Sequence, residues 1–165
     1  MFGNCQETTE DRESQVFCAD GMLGKLARWM RFMGFNTLYA GSTLSDLEII
    51  AFAKGRSMVL LTSDRLLAAS YDPSILICST NLPEQIRRVV SAFRPDPSKF
   101  MTRCSVCNCI ITKMESPGVN VKVPLSVTER GMEVMRCPGC GRLYWKGSHF
   151  DSIIMKINSI IGGKA

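Results

Sequence analysis

Four cysteines, arranged as Cys104-x-x-Cys107 and Cys137-x-x-Cys140, have the type and spacing that bind a soft divalent cation. Two residues between thiolates let a tight turn aim both sulfurs, and nearby backbone N–H groups, at one ion. A second such knuckle closes a tetrahedral shell. Zinc is the expected metal, and four protein ligands leave no open position, so its role is structural. Cys109, two residues past the first knuckle, is a spare thiol whose position suits the geometry less well. The competing explanation is chance pairs or a redox dithiol.

Carboxylates form the second candidate set. FCADGML breaks an apolar run on Asp20, SDLE places Asp46 and Glu48 at a helix start, and TSDR places Asp64 after another apolar run. Carboxylates gathered at one edge of a parallel sheet can hold one or two Mg²⁺ or Mn²⁺ ions that activate water and stabilise the leaving oxygen of a phosphodiester. Each has a plainer use. Glu48 can complete a capping box with Ser45, Asp46 can favour the positive end of its helix, and Asp20 can cap the helix after it.

The elements that must position these residues follow from apolar periodicity. VFCA reads as a strand, and Met22 to Met33 then carries apolar residues at helical spacing up to Gly34. Thr37–Ala40 is a second strand, followed by a helix from Ser45 to near Gly55; Ser57–Leu61 is a third strand, and Arg65 opens a helix. Residues 75–78 make a fourth strand, and Asn81, Pro83 and Glu84 open a further helix. Strands alternating with helices imply an α/β fold, a parallel sheet flanked by helices. Asp20, Asp46 and Asp64 then emerge on its carboxyl edge, where ligands of such sheets bind.

RPDPSKF, with two prolines and no period, marks a boundary. Beyond it VKVPLSV and EVMRC look strand-like, and SIIMKINSII looks like a terminal helix. The expected organisation is a tail over 1–14, an α/β domain over 15–97, a small β-rich zinc ribbon over 98–150, and a helix with tail over 151–165.

Charge is uneven. Residues 1–96 hold ten basic and eleven acidic side chains, and residues 97–165 hold ten and four. The basic second part favours a polyanion. Lys25, Arg28 and Arg31 recur every three residues along the first helix, either as a phosphate-handling stripe or as a solvated face. Trp29 beside them packs or stacks on a base. His149, the single histidine, lies in YWKGSHF and is either a surface residue or an RNA or active-site contact. One histidine without an identifiable serine partner disfavours nucleophilic catalysis.

No GxGxxG or Walker loop appears, which argues against a nucleotide cofactor. A phosphatase of the haloacid dehalogenase type would place a second aspartate where Met22 stands. No apolar run reaches the roughly 18 residues that span a bilayer, and the cysteine layout is not a secreted disulfide framework. The expectation is a soluble, intracellular, cytoplasmic protein, with no membrane association.

FCADGMLGKLARWMRFMGFNTLYA, SDLEIIAFAKGRSMVLLTSDR, TRCSVCN and RCPGCGRLYWKGSHF, in that order, closely resemble the Mut-seven C-terminal RNase family, PIN-like nuclease domains with an appended zinc ribbon. The likeness covers about residues 16–150. It implies a PIN-like fold, divalent-metal-dependent ribonuclease activity and RNA as partner. Asp20, Asp46 and Asp64 match the family's acidic positions; Glu48 is a further candidate only from its own place at the helix start. Lys25 and Arg28 fall in its LGxLARWxR segment and His149 in its YWxGxH ending; Arg142, Tyr144, Trp145 and Lys146 would lie on the ribbon surface facing RNA. The chain departs from the family at Ser45 and Ser63, where a second acid and a basic residue are common. The competing function is a non-catalytic RNA-binding or scaffold module of an RNA-processing or ribosomal complex. Oligomeric state and protein partners are not assigned.

Overall fold

The computed structural model describes residues 15–114 and 123–163. The N-terminal segment expected to be a tail lies outside them, as do Val121 and Lys122. A parallel sheet runs in the order β2-β1-β3-β4, from β1 (Val16–Ala19), β2 (Asn36–Tyr39), β3 (Val59–Thr62) and β4 (Ser74–Leu76). The connecting helices are α1 (Gly24–Phe32), α2 (Asp46–Lys54) and α3 (Arg65–Ala69), and α4 (Leu82–Val90) follows β4.

Alternation along the central strands builds two cores. Phe17 and Ala19 of β1 and Val59 and Leu61 of β3 face α1 and α4, while Cys18 and Leu60 face α2 and α3. The placement follows from strand order. A right-handed crossover from β1 out to β2 and one back across β1 to β3 must lie on opposite faces. Loops leaving β1 and β3 therefore part to opposite sides, and a crevice opens between those two strands at their carboxyl ends.

A three-stranded antiparallel sheet of β5 (Thr112–Lys113), β6 (Val134–Arg136) and β7 (Leu143–Trp145) carries the cysteines. The expected α/β fold with a small β-rich unit is present. Two details differ. The described part of VKVPLSV contains a short helix, α5 (Leu125–Thr128), which follows Pro124; a proline in an apparently alternating run removes a ladder donor and argues against a strand. The last helix, α6 (Ser148–Gly162), begins earlier than expected and includes His149. Its Ile153, Ile157 and Ile160 pack into the core beside α1 and α4, so the chain returns from the ribbon to the first unit. Among the described residues no helix is long and apolar enough to cross a membrane.

Candidate active site and zinc centre

Asp20 follows β1 directly and is 5% exposed. Its Oδ1 accepts the Met22 amide at 2.9 Å, and its Oδ2 accepts the Ser63 amide at 3.2 Å and the Thr62 hydroxyl. Thr62 is fully buried at the end of β3, and the same hydroxyl oxygen accepts the Asp64 amide at 3.0 Å. One hydroxyl thus couples the two aspartates across the crevice. Of roughly four lone-pair positions on a carboxylate, these contacts use three at Asp20.

Asp64 caps α3, its Oδ1 accepting the amides of Leu66 at 2.7 Å and Leu67 at 3.0 Å. Asp46 is exposed at the first position of α2. Glu48 completes the capping box, its Oε2 accepting the Ser45 amide at 2.8 Å and the Ser45 hydroxyl at 2.7 Å. These bonds, the hydroxyl's first, hold the Glu48 carboxyl below its ordinary range. On the other side of β1, the loops after β1 and β2 are tightly apposed: a Cβ on Gly21 would lie 2.5 Å from the Gly41 carbonyl oxygen. Beneath them Cys18 is buried, and burial, reinforced by the Asp20 charge, pushes its thiol up to about 12. That thiol stays neutral and inert.

The three aspartates share the carboxyl edge, but their oxygens are not drawn together. Among the described residues, the four cysteines are the one group of three or more candidate ligands whose donor atoms lie within 4.8 Å of one another. A zinc ion about 2.3 Å from each thiolate sets tetrahedral S···S distances of about 3.8 Å. Here Cys104 and Cys140 are 3.5 Å apart and Cys107 and Cys137 3.2 Å, with Cys104 and Cys137 fully buried, so the donor set fits one zinc ion. Cys109, expected to be a spare thiol, is instead disulfide-bonded and buried outside this group, its sulfur 3.5 Å from that of Cys107.

The two knuckles are structural twins. The Cys104 amide donates to the Cys109 carbonyl and the Asn108 amide returns to Cys104; the Cys137 amide donates to Arg142 and the Gly141 amide returns to Cys137. Asn108 (φ +72°) and Gly141 (φ +73°) occupy the same left-handed position. Glycine adopts it freely, and asparagine is among the side chains that tolerate it. At Asn108 the side chain has a further task. Its Oδ1 accepts the Thr37 amide at 3.0 Å and its Nδ2 donates to Asn36 Oδ1 at 2.6 Å, covering the open edge of β2.

Arg31 departs from the expected phosphate-facing stripe. It is 7% exposed, and its Nε donates to the Thr37 carbonyl at 2.8 Å while Nη1 donates to the carbonyls of Val106 at 2.8 Å and Ser105 at 3.2 Å. It ties the edge strand to the first knuckle and faces the protein interior. Burial lowers its pKa, opposed by the nearby Cys104 and Cys107 thiolates. Tyr144 also turns inward, its hydroxyl 3.1 Å from Cys104 Sγ and accepting the Ser105 amide at 3.2 Å. Lys25 and Arg28 are exposed on α1; Trp29 is half-buried, edge-on to Phe32 with the Lys156 ammonium 5.2 Å from its ring. Trp145 is half-buried, and Lys146, His149 and Arg142 are exposed.

The Mut7-C RNAse domain profile matches residues 15–157, a stretch that holds the sheet, both knuckles and most of α6. The chain belongs to that family. No curated protein and no solved structure matches it significantly. In this Mut7-C RNAse domain, the four cysteines expected from the sequence come together and the expected aspartates stand at the carboxyl edge; Thr62 and Asn108 were not anticipated, and Arg31 lies inward, off the expected stripe. LTSDR carried a signal for Thr62, a hydroxyl two residues before an expected acid.

Proposed function

We propose that the protein hydrolyses RNA phosphodiester bonds at the carboxyl edge of its parallel sheet. The observation that carries this reading is the bracketing of the β1/β3 crevice by Asp20 and Asp64 in a family named for RNase activity. The donor set there is all oxygen, which suits Mg²⁺ or Mn²⁺; Asp20, Asp46 and Asp64 would hold such an ion if their carboxylates, which stand apart, were drawn together on it. Such an ion, when bound, supplies an activated water and offsets charge on the leaving oxygen.

The chain's own residues do the remainder. Thr62 and the Met22 and Ser63 amides hold Asp20 in one orientation, so little reorganisation is needed when substrate arrives. Helix capping fixes Asp64. Lys25 and Arg28, one turn apart on α1, offer charge to the RNA backbone beside the acidic edge, and the zinc ribbon, built on Cys104, Cys107, Cys137 and Cys140, holds the basic second part in place. Glu48, occupied with Ser45, serves as a cap.

The competing reading, a non-catalytic RNA-binding module, draws on the fact that Asp20 and Asp64 already accept protein hydrogen bonds. RNA affinity of Asp20→Asn/Asp64→Asn against wild type in Mg²⁺ separates the two. A nuclease that binds RNA through an ion at these acids loses affinity in the variant; a module that binds without one keeps it or gains from reduced repulsion.

A further inference from the structure

The seam between α1, β7 and the start of α6 forms an open-mouthed cavity of about 360 Å³, with none of the edge aspartates in its lining. Its lining includes Arg28, Phe32, Arg142, Trp145, His149 and Phe150, and no carboxylate. The volume falls in the range of about 300 to 1,000 Å³ usual for small-ligand sites. Phe32, Tyr144, Trp145 and Phe150, with the His149 ring and two guanidinium groups, line one opening, a chemistry that selects a flat π-system bearing negative charge. Arg28 and Arg142 are exposed, so their cations are available to solvent anions, and Arg28 stands 5.6 Å from the Phe32 ring, at the apolar wall. Trp145 is half-buried, with part of its surface available for stacking.

We infer that this cavity takes one unpaired nucleotide of an RNA strand, its base among Trp145 and the phenylalanines and its phosphate on Arg28 and Arg142. The inference rests on the nuclease reading and deepens it, because it makes single-stranded RNA the substrate class. A paired base cannot leave its stack to enter such a site without the cost of unpairing. Lys25 extends the cationic track from Arg28 along α1 towards the acidic edge. Lys25 and Arg28 are about 4.5 Å apart along α1, whose N-terminal end follows Asp20. On the other side, Met101 and Phe150 also line a neighbouring cavity of about 560 Å³ that carries Lys99 and Lys146, giving the strand a cationic continuation.

The test uses the zinc-loaded full chain carrying Asp20→Asn/Asp64→Asn, so that no cleavage intervenes, and reads the Kd of a fluorescent mixed-sequence RNA alone or annealed to its complement. The single strand binds more tightly than the duplex, and Trp145→Leu weakens it by about tenfold while Trp145→Phe recovers most of the loss, as expected for one stacked base. Arg142→Ala, at an exposed position that packing does not require, weakens the single strand several-fold. Equal affinity for the duplex, unchanged affinity in Arg142→Ala or in a zinc-retaining Trp145→Leu, or equally tight binding of a free nucleoside monophosphate would each overturn the inference. Cleavage by the wild-type chain is read separately, so the nuclease can stand while the nucleotide site falls, and the reverse.

Discussion

The Thr62 hydroxyl donates to the Asp20 carboxylate, and its oxygen accepts the Asp64 amide, so a buried side chain of β3 orients the acid at the end of β1. Thr62→Val keeps the shape and removes the link. The variant should lose about 1 to 2 kcal/mol of stability in urea unfolding, and its RNA cleavage should fall further than that loss alone explains. Wild-type cleavage in a folded Thr62→Val chain would show that Asp20 needs no such support.

Arg31 and Arg28 make a paired prediction. Arg31→Ala removes three bonds to carbonyls at the seam between β2 and the first knuckle and should cost about 3 kcal/mol, measured by denaturant unfolding. Arg31→Lys should recover little, because one ammonium cannot reproduce the guanidinium fork. Arg28→Ala should leave stability nearly unchanged and weaken RNA binding.

The contrast between those arginines also shows what was legible beforehand. Spacing of three residues suggests one stripe, yet at 3.6 residues per turn each step falls about 60° short of a full turn. From Lys25 to Arg31 the direction has rotated by about 120°, towards β2 and the ribbon. Strands, helices and the Ser45–Glu48 cap could be read because they depend on neighbours in sequence. Arg31, Asn108 and Tyr144 could not, because their partners are fixed only when the ribbon docks on the sheet.

Asn108 tests that docking. Asn108→Gly preserves the left-handed turn but loses the bonds to Thr37 and Asn36, whereas Asn108→Ala loses both and strains the backbone. Thermal unfolding should rank wild type above Asn108→Gly and Asn108→Ala lowest. Parity of all three would mean the first knuckle does not support the sheet edge.

Zinc should be retained at one ion per chain, and its removal should be felt beyond the ribbon. Cys137→Ser, or a strong chelator, is expected to lower the unfolding temperature of the whole chain, because the first knuckle also covers the β2 edge. Elemental analysis and thermal melts check both parts; an unchanged melt after zinc loss would contradict the coupling.

Glu48 carries a pH prediction. Its folded-state carboxyl titrates below the ordinary value of about 4.3, so the cap's contribution is complete above that pH and is lost as pH falls through the lower folded value. An NMR titration should place the Glu48 midpoint below 4.3 on this approximate scale, and Ser45→Ala should raise it towards the ordinary value. A midpoint unaffected by Ser45→Ala would refute the capping assignment.

The most direct test of the central claim is cleavage of labelled single-stranded RNA by wild type and Asp64→Asn, with Mg²⁺ or Mn²⁺ and without either. Asparagine caps a helix about as well as aspartate, so the substitution removes charge while sparing the cap seen at Leu66 and Leu67. The account predicts cleavage that requires the divalent ion and falls by at least about a hundredfold in Asp64→Asn, with the fold intact. Equal cleavage by the two proteins, or RNA binding without turnover by wild type under either metal, would contradict it.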